Sequence, residues 1–195
     1  MTDFASQPER LNSTDTALLV VDVQEKLVPK IDGAAALVRN IAFLIDACKV
    51  LGVPVSATEQ YPKGLGPTVA ELAARLPANL PDKLAFSSCA VPAIVDGFRR
   101  GGRPKVIVAG IETHVCITQT VLDLRALNFR VFLPVDAVGS RYRIDHDTAI
   151  ERLRDAGAIL VTSEMVAFEL TGVAGTAQFK EISRLVQQRA WCSSG

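Results

Sequence analysis

Short apolar runs alternate along this chain with longer stretches in which apolar residues recur every three or four positions. "TALLVVDV" (16–23) is valine-rich and too short for a helix, which predicts a strand buried on both faces. "GAAALVRNIAFLIDACKVLG" (33–52) has helical spacing and ends on a glycine suited to a C-cap. The alternation continues with strand "VPVSAT" (53–58), helix "PTVAELAARL" (67–76), strand "DKLAFSS" (82–88) and helix "VPAIVDGFRRGG" (91–102). Strand "PKVIVAGI" (104–111), helix "VCITQTVLDLRALN" (115–128) and strand "RVFLPVDA" (130–137) follow. Helix "DHDTAIERLRDAG" (145–157), strand "AILVTS" (158–163) and helix "TAQFKEISRLVQQRA" (176–190) complete the pattern.

Strands separated by helices predict one doubly wound, Rossmann-like α/β domain, a three-layer α/β/α sandwich on a central parallel sheet of about six strands. The domain is expected over residues 14–195, with residues 1–13 loosely ordered. In such sheets ligands bind beyond the carboxyl ends of the strands, where the strand order reverses. The residues to inspect are therefore Asp22, Thr58 to Tyr61, Lys83 to Ser87, Glu112 to Cys116 and Asp136 to Ser140.

Composition narrows the function classes. The chain has 195 residues, 49% hydrophobic and 22% charged, as suits one ordinary globular domain. Lys and Arg number 21 and Asp and Glu also 21, so no basic footprint for nucleic acid is expected. No apolar run approaches the ~18 residues of a membrane span, and the N-terminus lacks a signal-like apolar core. The four cysteines, Cys48, Cys89, Cys116 and Cys192, form no CxxC and suggest free thiols in a reducing, cytoplasmic setting.

Three residues at strand ends are chemically suggestive together. Cys116 opens a predicted helix directly after a strand, where unpaired N–H groups favour a thiolate. Lys83 would favour it further, and Asp22 could take and return a proton. Each alone has a plainer reading: a buried core thiol, a solvated lysine, a loop-capping aspartate. Gln60 and Tyr61 either line a pocket or form an ordinary polar loop. Phe86 lines the pocket or joins the core, with the core favoured, and His114 either touches substrate or, as expected in a tight turn, bonds backbone. Asp136 and Ser140 are expected to fix a loop, and His146 to lie on the surface.

"LLVVDVQ", "DKLAFSS" and "VIVAGIETHVCITQTVLDL" resemble the three signature segments of the isochorismatase-like cysteine hydrolases, in particular their metal-free isochorismatase domain-containing group. The resemblance covers Thr16 to about Glu169. It implies a triad of Asp22, Lys83 and Cys116, a cis peptide at Ile111–Glu112, and an oxyanion hole from the backbone N–H groups of Glu112 and Cys116. It also implies a small-molecule substrate and a homo-oligomer, a dimer or tetramer. Nicotinamidases of the superfamily bind a metal through an aspartate and histidines after the second strand. Here that region reads "SATEQYPKGLGPT", without histidine, so no metal and no cofactor are expected. Isochorismatases proper typically lack the cysteine, so its presence points to an amide or carbamoyl substrate.

The expected function is therefore hydrolysis through a Cys116 thioester. The alternative is a non-catalytic protein that binds a small molecule or partner on the same fold. A nucleotide binder is disfavoured because neither GxGxxG nor GxxxxGK[ST] occurs, and a redox protein because no CxxC occurs.

Overall fold

All six residues of β1 (Thr16–Val21) are buried, and β1 is hydrogen-bonded on both edges in a computed structural model that describes residues 9–191. One neighbour is β2 (Val55–Gln60), followed outward by the two-residue β3 (Asp82–Lys83). The other is β4 (Lys105–Ile111), followed by β5 (Arg130–Pro134) and β7 (Ile159–Val161). A short β6 (Val138–Gly139) returns to β4 beside Gly110 and Ile111. The sheet order is β3-β2-β1-β4-β5-β7, with every pairing parallel. The chain winds outward one way from β1 and the other way from β4. The order therefore reverses between these two strands, where such folds open a crevice at the carboxyl ends.

Strand alternation builds the core on both faces. Leu18 and Val20 of β1 pack with α1 (Ala34–Val50) and with Val166 and Leu170 of α7 (Ser163–Thr171). Ala17, Leu19 and Val21 pack instead with α4 (Pro92–Arg100), α5 (Thr118–Ala126) and Leu153 of α6 (Arg143–Asp155). The C-terminal α8 (Ala177–Trp191) lies against α1 and α7. Two single turns, α2 (Pro62–Leu65) and α3 (Ala70–Ala73), fill the connection from β2 to β3.

Several local expectations change. The strand expected over 82–88 is only two residues long, because the chain turns at Leu84 and enters a 3-10 turn at Ser88–Ala90. The helix expected over 67–76 shrinks to α3, its approach tied down where Glu59 accepts hydrogen bonds from the Thr68 N–H and hydroxyl at 2.6 and 2.7 Å. Helix α7 has no counterpart in the sequence reading. Its first N–H, on Ser163, is taken up by Asp136, 27 positions away, and only Thr162 caps it locally. Two contacts tie residues 9–13 to the domain. Leu11 is buried and its N–H donates to Glu169 at 2.9 Å, while Lys105 donates to the Arg10 carbonyl at 2.7 Å. Residues 1–8 and Cys192 lie outside the described residues.

Among the described residues no helix is long and apolar enough to cross a membrane.

Candidate active site

The reversal point places two chain segments side by side. Val21 is in register with Gly110, so Asp22 and the turn after β4 leave the sheet together. Gly110 has φ +127°, and a Cβ there would lie 2.1 Å from the Val21 carbonyl oxygen. Only glycine admits this approach. Asp22 itself takes a left-handed φ of 55°, which a non-glycine residue adopts at a cost of about 1 kcal/mol or more. Its N–H donates to the Thr58 carbonyl at 3.1 Å, and its own carbonyl accepts from the Gln24 N–H at 2.9 Å.

The Asp22 carboxylate is fully buried and bonded at both oxygens. Oδ1 accepts from the Thr58 hydroxyl at 2.9 Å. Oδ2 accepts from Lys83 Nζ at 2.6 Å. With the Thr58 proton committed, Ser88 Oγ, 3.0 Å away, donates to Thr58. Lys83 has three protons and three close acceptors: Asp22, Gln60 Oε1 at 2.7 Å and the Phe86 carbonyl at 2.8 Å. Gln60 is fixed in turn, its Nε2 donating to the Leu84 carbonyl at 2.9 Å and its N–H to Gln24 Oε1 at 2.8 Å. Gln24 also donates to the carbonyls of Gln60 and Gly66 at 3.0 and 2.7 Å. A buried chain of polar side chains thus runs from Gln24 through Gln60 and Lys83 to Asp22.

Cys116 completes this cluster. The Ile111–Glu112 peptide bond is cis, and Thr113–Ile117 forms a π-helical turn ahead of α5. The Glu112 carbonyl accepts from the N–H groups of Val115 and Ile117, at 3.1 and 3.2 Å, on either side of Cys116. The buried Cys116 thiol lies beside Asp22 and Lys83 and feels both groups. Its pKa is pushed up to about 12, first by burial and then by the Asp22 charge, with Lys83 pulling the other way. This reverses the expectation of a resting thiolate. Cys116 sits two residues ahead of α5 and beside a carboxylate, so burial and like charge outweigh the lysine. Asp22 is shifted in the useful direction: burial raises its pKa, against Lys83, Cys116 and Thr58, so it holds a proton more readily than an ordinary aspartate.

The remaining candidates separate. Gln60 is drawn into the cluster, but its side chain braces Lys83. Tyr61 and Phe86 are about half exposed at the two ends of the same region, which removes Phe86 from the core. His114 does not bond backbone through its ring: Nδ1 is 3.0 Å from Ser140 Oγ, and Nε2 lies 3.8 Å from Asp145. His146 is half-buried rather than on the surface, its Nδ1 3.0 Å from Thr113 Oγ1. Asp136 holds the start of α7 and Ser140 holds His114, both fixing loops. Gln24, Ser88 and Arg141 were not singled out from sequence. Gln24 stands inside the quoted segment "LLVVDVQ", which was the available signal.

Among the described residues no group of three or more His, Cys, Asp or Glu side chains is placed to hold a metal ion. The end of β2 and the turn after it carry Gln60, Tyr61 and Lys63, a poor donor set for zinc.

Residues 16–165 match the Isochorismatase domain family. The chain belongs to the isochorismatase family. Family relatives extend along nearly all of it. It is 39% identical over 178 residues to Isochorismatase domain-containing protein 2 of Danio rerio, covering 91% of this chain and 89% of that one. A solved structure described as MAR1 ribonuclease from Caenorhabditis elegans is similar with a TM-score of 0.86 and 41% identity, over 91% of this chain and 92% of that one. The YcaC gene product of Escherichia coli, described as an octameric hydrolase of unknown specificity, is similar with a TM-score of 0.82 and 27% identity, over 95% of each chain. The α/β fold with its parallel sheet is that of these family hydrolases.

Proposed function

We propose that this protein is a cysteine hydrolase of small amide or carbamoyl compounds, acting through a thioester on Cys116. The observation that carries the reading is one buried cluster at the strand-order reversal in which a thiol lies beside a hydrogen-bonded carboxylate–ammonium pair. Such a set is what nucleophilic acyl transfer requires: a nucleophile, a base within reach, and a fixed cation between them.

The raised thiol pKa shapes the mechanism. Forming free thiolate at pH 7 from a thiol of pKa about 12 would cost about 7 kcal/mol. The proton therefore passes to Asp22 as Sγ attacks, with Lys83 steadying both charges. The S–C bond forms and the carbonyl oxygen becomes an oxyanion, received by the N–H groups of Glu112 and Cys116. Collapse breaks the C–N bond, and the amine leaves with the proton from Asp22. Water then adds to the thioester, passing its proton to Asp22. The C–S bond breaks, and sulfur regains the proton.

The test is a panel of small amides and ureides assayed for ammonia release, with Cys116→Ala as control and a single-stranded RNA included. The RNA arm answers to the description of the C. elegans relative. Equal numbers of acidic and basic residues in this chain favour the acyl reading. Ammonia release lost in Cys116→Ala and undiminished by chelator supports the proposal. Release that survives the substitution, RNA cleavage alone, or binding without turnover overturns it. We also read the chain as a homo-oligomer, by analogy with octameric YcaC, which light scattering checks.

A further inference from the structure

Three successive residues of the turn before Cys116 are each gripped by a side chain from one short segment. Arg141 forks onto the Glu112 carboxylate, with Nη2 2.6 Å from Oε1 and Nε 3.0 Å from Oε2, and its own N–H donates to Oε2 at 3.1 Å. His146 is 3.0 Å from the Thr113 hydroxyl. Ser140 is 3.0 Å from the His114 ring, whose far nitrogen lies 3.8 Å from Asp145. This segment starts where β6 leaves β4 beside Gly110 and Ile111, and it ends in the first turn of α6.

We infer that residues 140–146 are a strap that positions the catalytic turn, with Arg141 as its charged clasp. The inference rests on the reading of Cys116 as nucleophile. π-Helical turns are rare and cluster at functional sites, so this one needs bracing from outside. The proposed oxyanion donors and the sulfur share it, and acyl transfer tolerates misplacement of well under 1 Å. Charge makes the same demand. Burial pushes the Glu112 carboxyl upward, but the Arg141 hydrogen bonds and charge outweigh it and hold the group ionised. A bare carboxylate there would oppose every negative charge the reaction builds nearby. Arg141 cancels it while fixing it in place. Arg141 is thus a positioning residue, acting through Glu112 without touching substrate.

A merely structural ion pair with one half-exposed partner would contribute little, and its loss would not reach the sulfur. The experiment measures iodoacetamide labelling of Cys116 against pH and amide turnover, for the unmodified protein, Arg141→Gln, Arg141→Lys and the double variant Glu112→Gln/Arg141→Gln. Labelling of Cys48 and Cys89, with circular dichroism, reports folding. Arg141→Gln is expected to slow Cys116 labelling and to lower kcat roughly tenfold or more, with KM changed less than about twofold. Arg141→Lys is expected to recover part of the loss. The double variant, which removes the uncancelled carboxylate, is expected to label faster than Arg141→Gln alone. Unchanged labelling and kcat in a folded Arg141→Gln protein overturns the strap while Cys116 remains the nucleophile. Full turnover by Cys116→Ala instead overturns the nucleophile, and the strap with it.

Discussion

Lys83 Nζ lies 2.6 Å from the Asp22 carboxylate, with both side chains sealed from water, so each charge depends on the other. Gln60 and the Phe86 carbonyl take the remaining two protons of Lys83. The ammonium group is fixed in direction as well as position.

Lys83→Met is expected to lower turnover by about a thousandfold and stability by about 3 kcal/mol. The fold should survive, because burial raises the Asp22 pKa and, without Lys83, the carboxylate can take up a proton and become neutral. Lys83→Arg should not restore activity, since a planar fork cannot replace three tetrahedral donors. Turnover assays with urea denaturation check both.

Asp22→Asn carries a less intuitive expectation. The Asp22 charge raises the Cys116 pKa, so removing it lowers that pKa. Iodoacetamide should label Cys116 faster at pH 8 while turnover falls by about a hundredfold or more, because the proposed proton acceptor is gone. A labelling profile shifted to higher pH contradicts this assignment.

Gly110→Ala is expected to destabilise the fold by about 3 kcal/mol or more, since the new methyl group meets Val21 backbone on a buried strand at positive φ. Thermal unfolding measures it. Turnover should fall further than stability explains, because β1 and β4 lead into Asp22 and Cys116, the proposed base and nucleophile.

Alkaline stability follows from Cys48, remote from the site, whose pKa burial pushes from 9.0 up to about 12. Between those values the unfolded chain releases the proton and the folded chain keeps it. Stability therefore falls as pH rises above 9, by about 1.4 kcal/mol per pH unit from this group. Cys48→Ala should flatten that part of the slope in urea titrations between pH 8.5 and 10.5.

Strand alternation made the sheet legible, because β1 and β4 are buried on both faces and read as continuous apolar runs. The strand-end rule points to Asp22, Lys83 and Cys116 from sequence alone. What stayed illegible depends on distant partners. Helix α7 begins where Asp136 receives the Ser163 N–H and hydroxyl. His146 looked like a surface residue because no local pattern announces Thr113 as its partner. The raised Cys116 pKa is illegible for the same reason: the helix start is visible in sequence, whereas the depth of burial beside Asp22 is not.

The three members of the cluster stand on elements of unequal security. Asp22 and Cys116 follow β1 and β4, at the middle of the sheet, whereas Lys83 rides a two-residue strand at its outer edge. Segments with so few ladder bonds open locally at far lower free energy than the central strands. Deuterium is therefore expected to enter the backbone around residues 81–87 well before it enters β1 or β4. Warming would then disarm the chemistry by releasing an edge while the sheet is still intact, and cooling would rearm it.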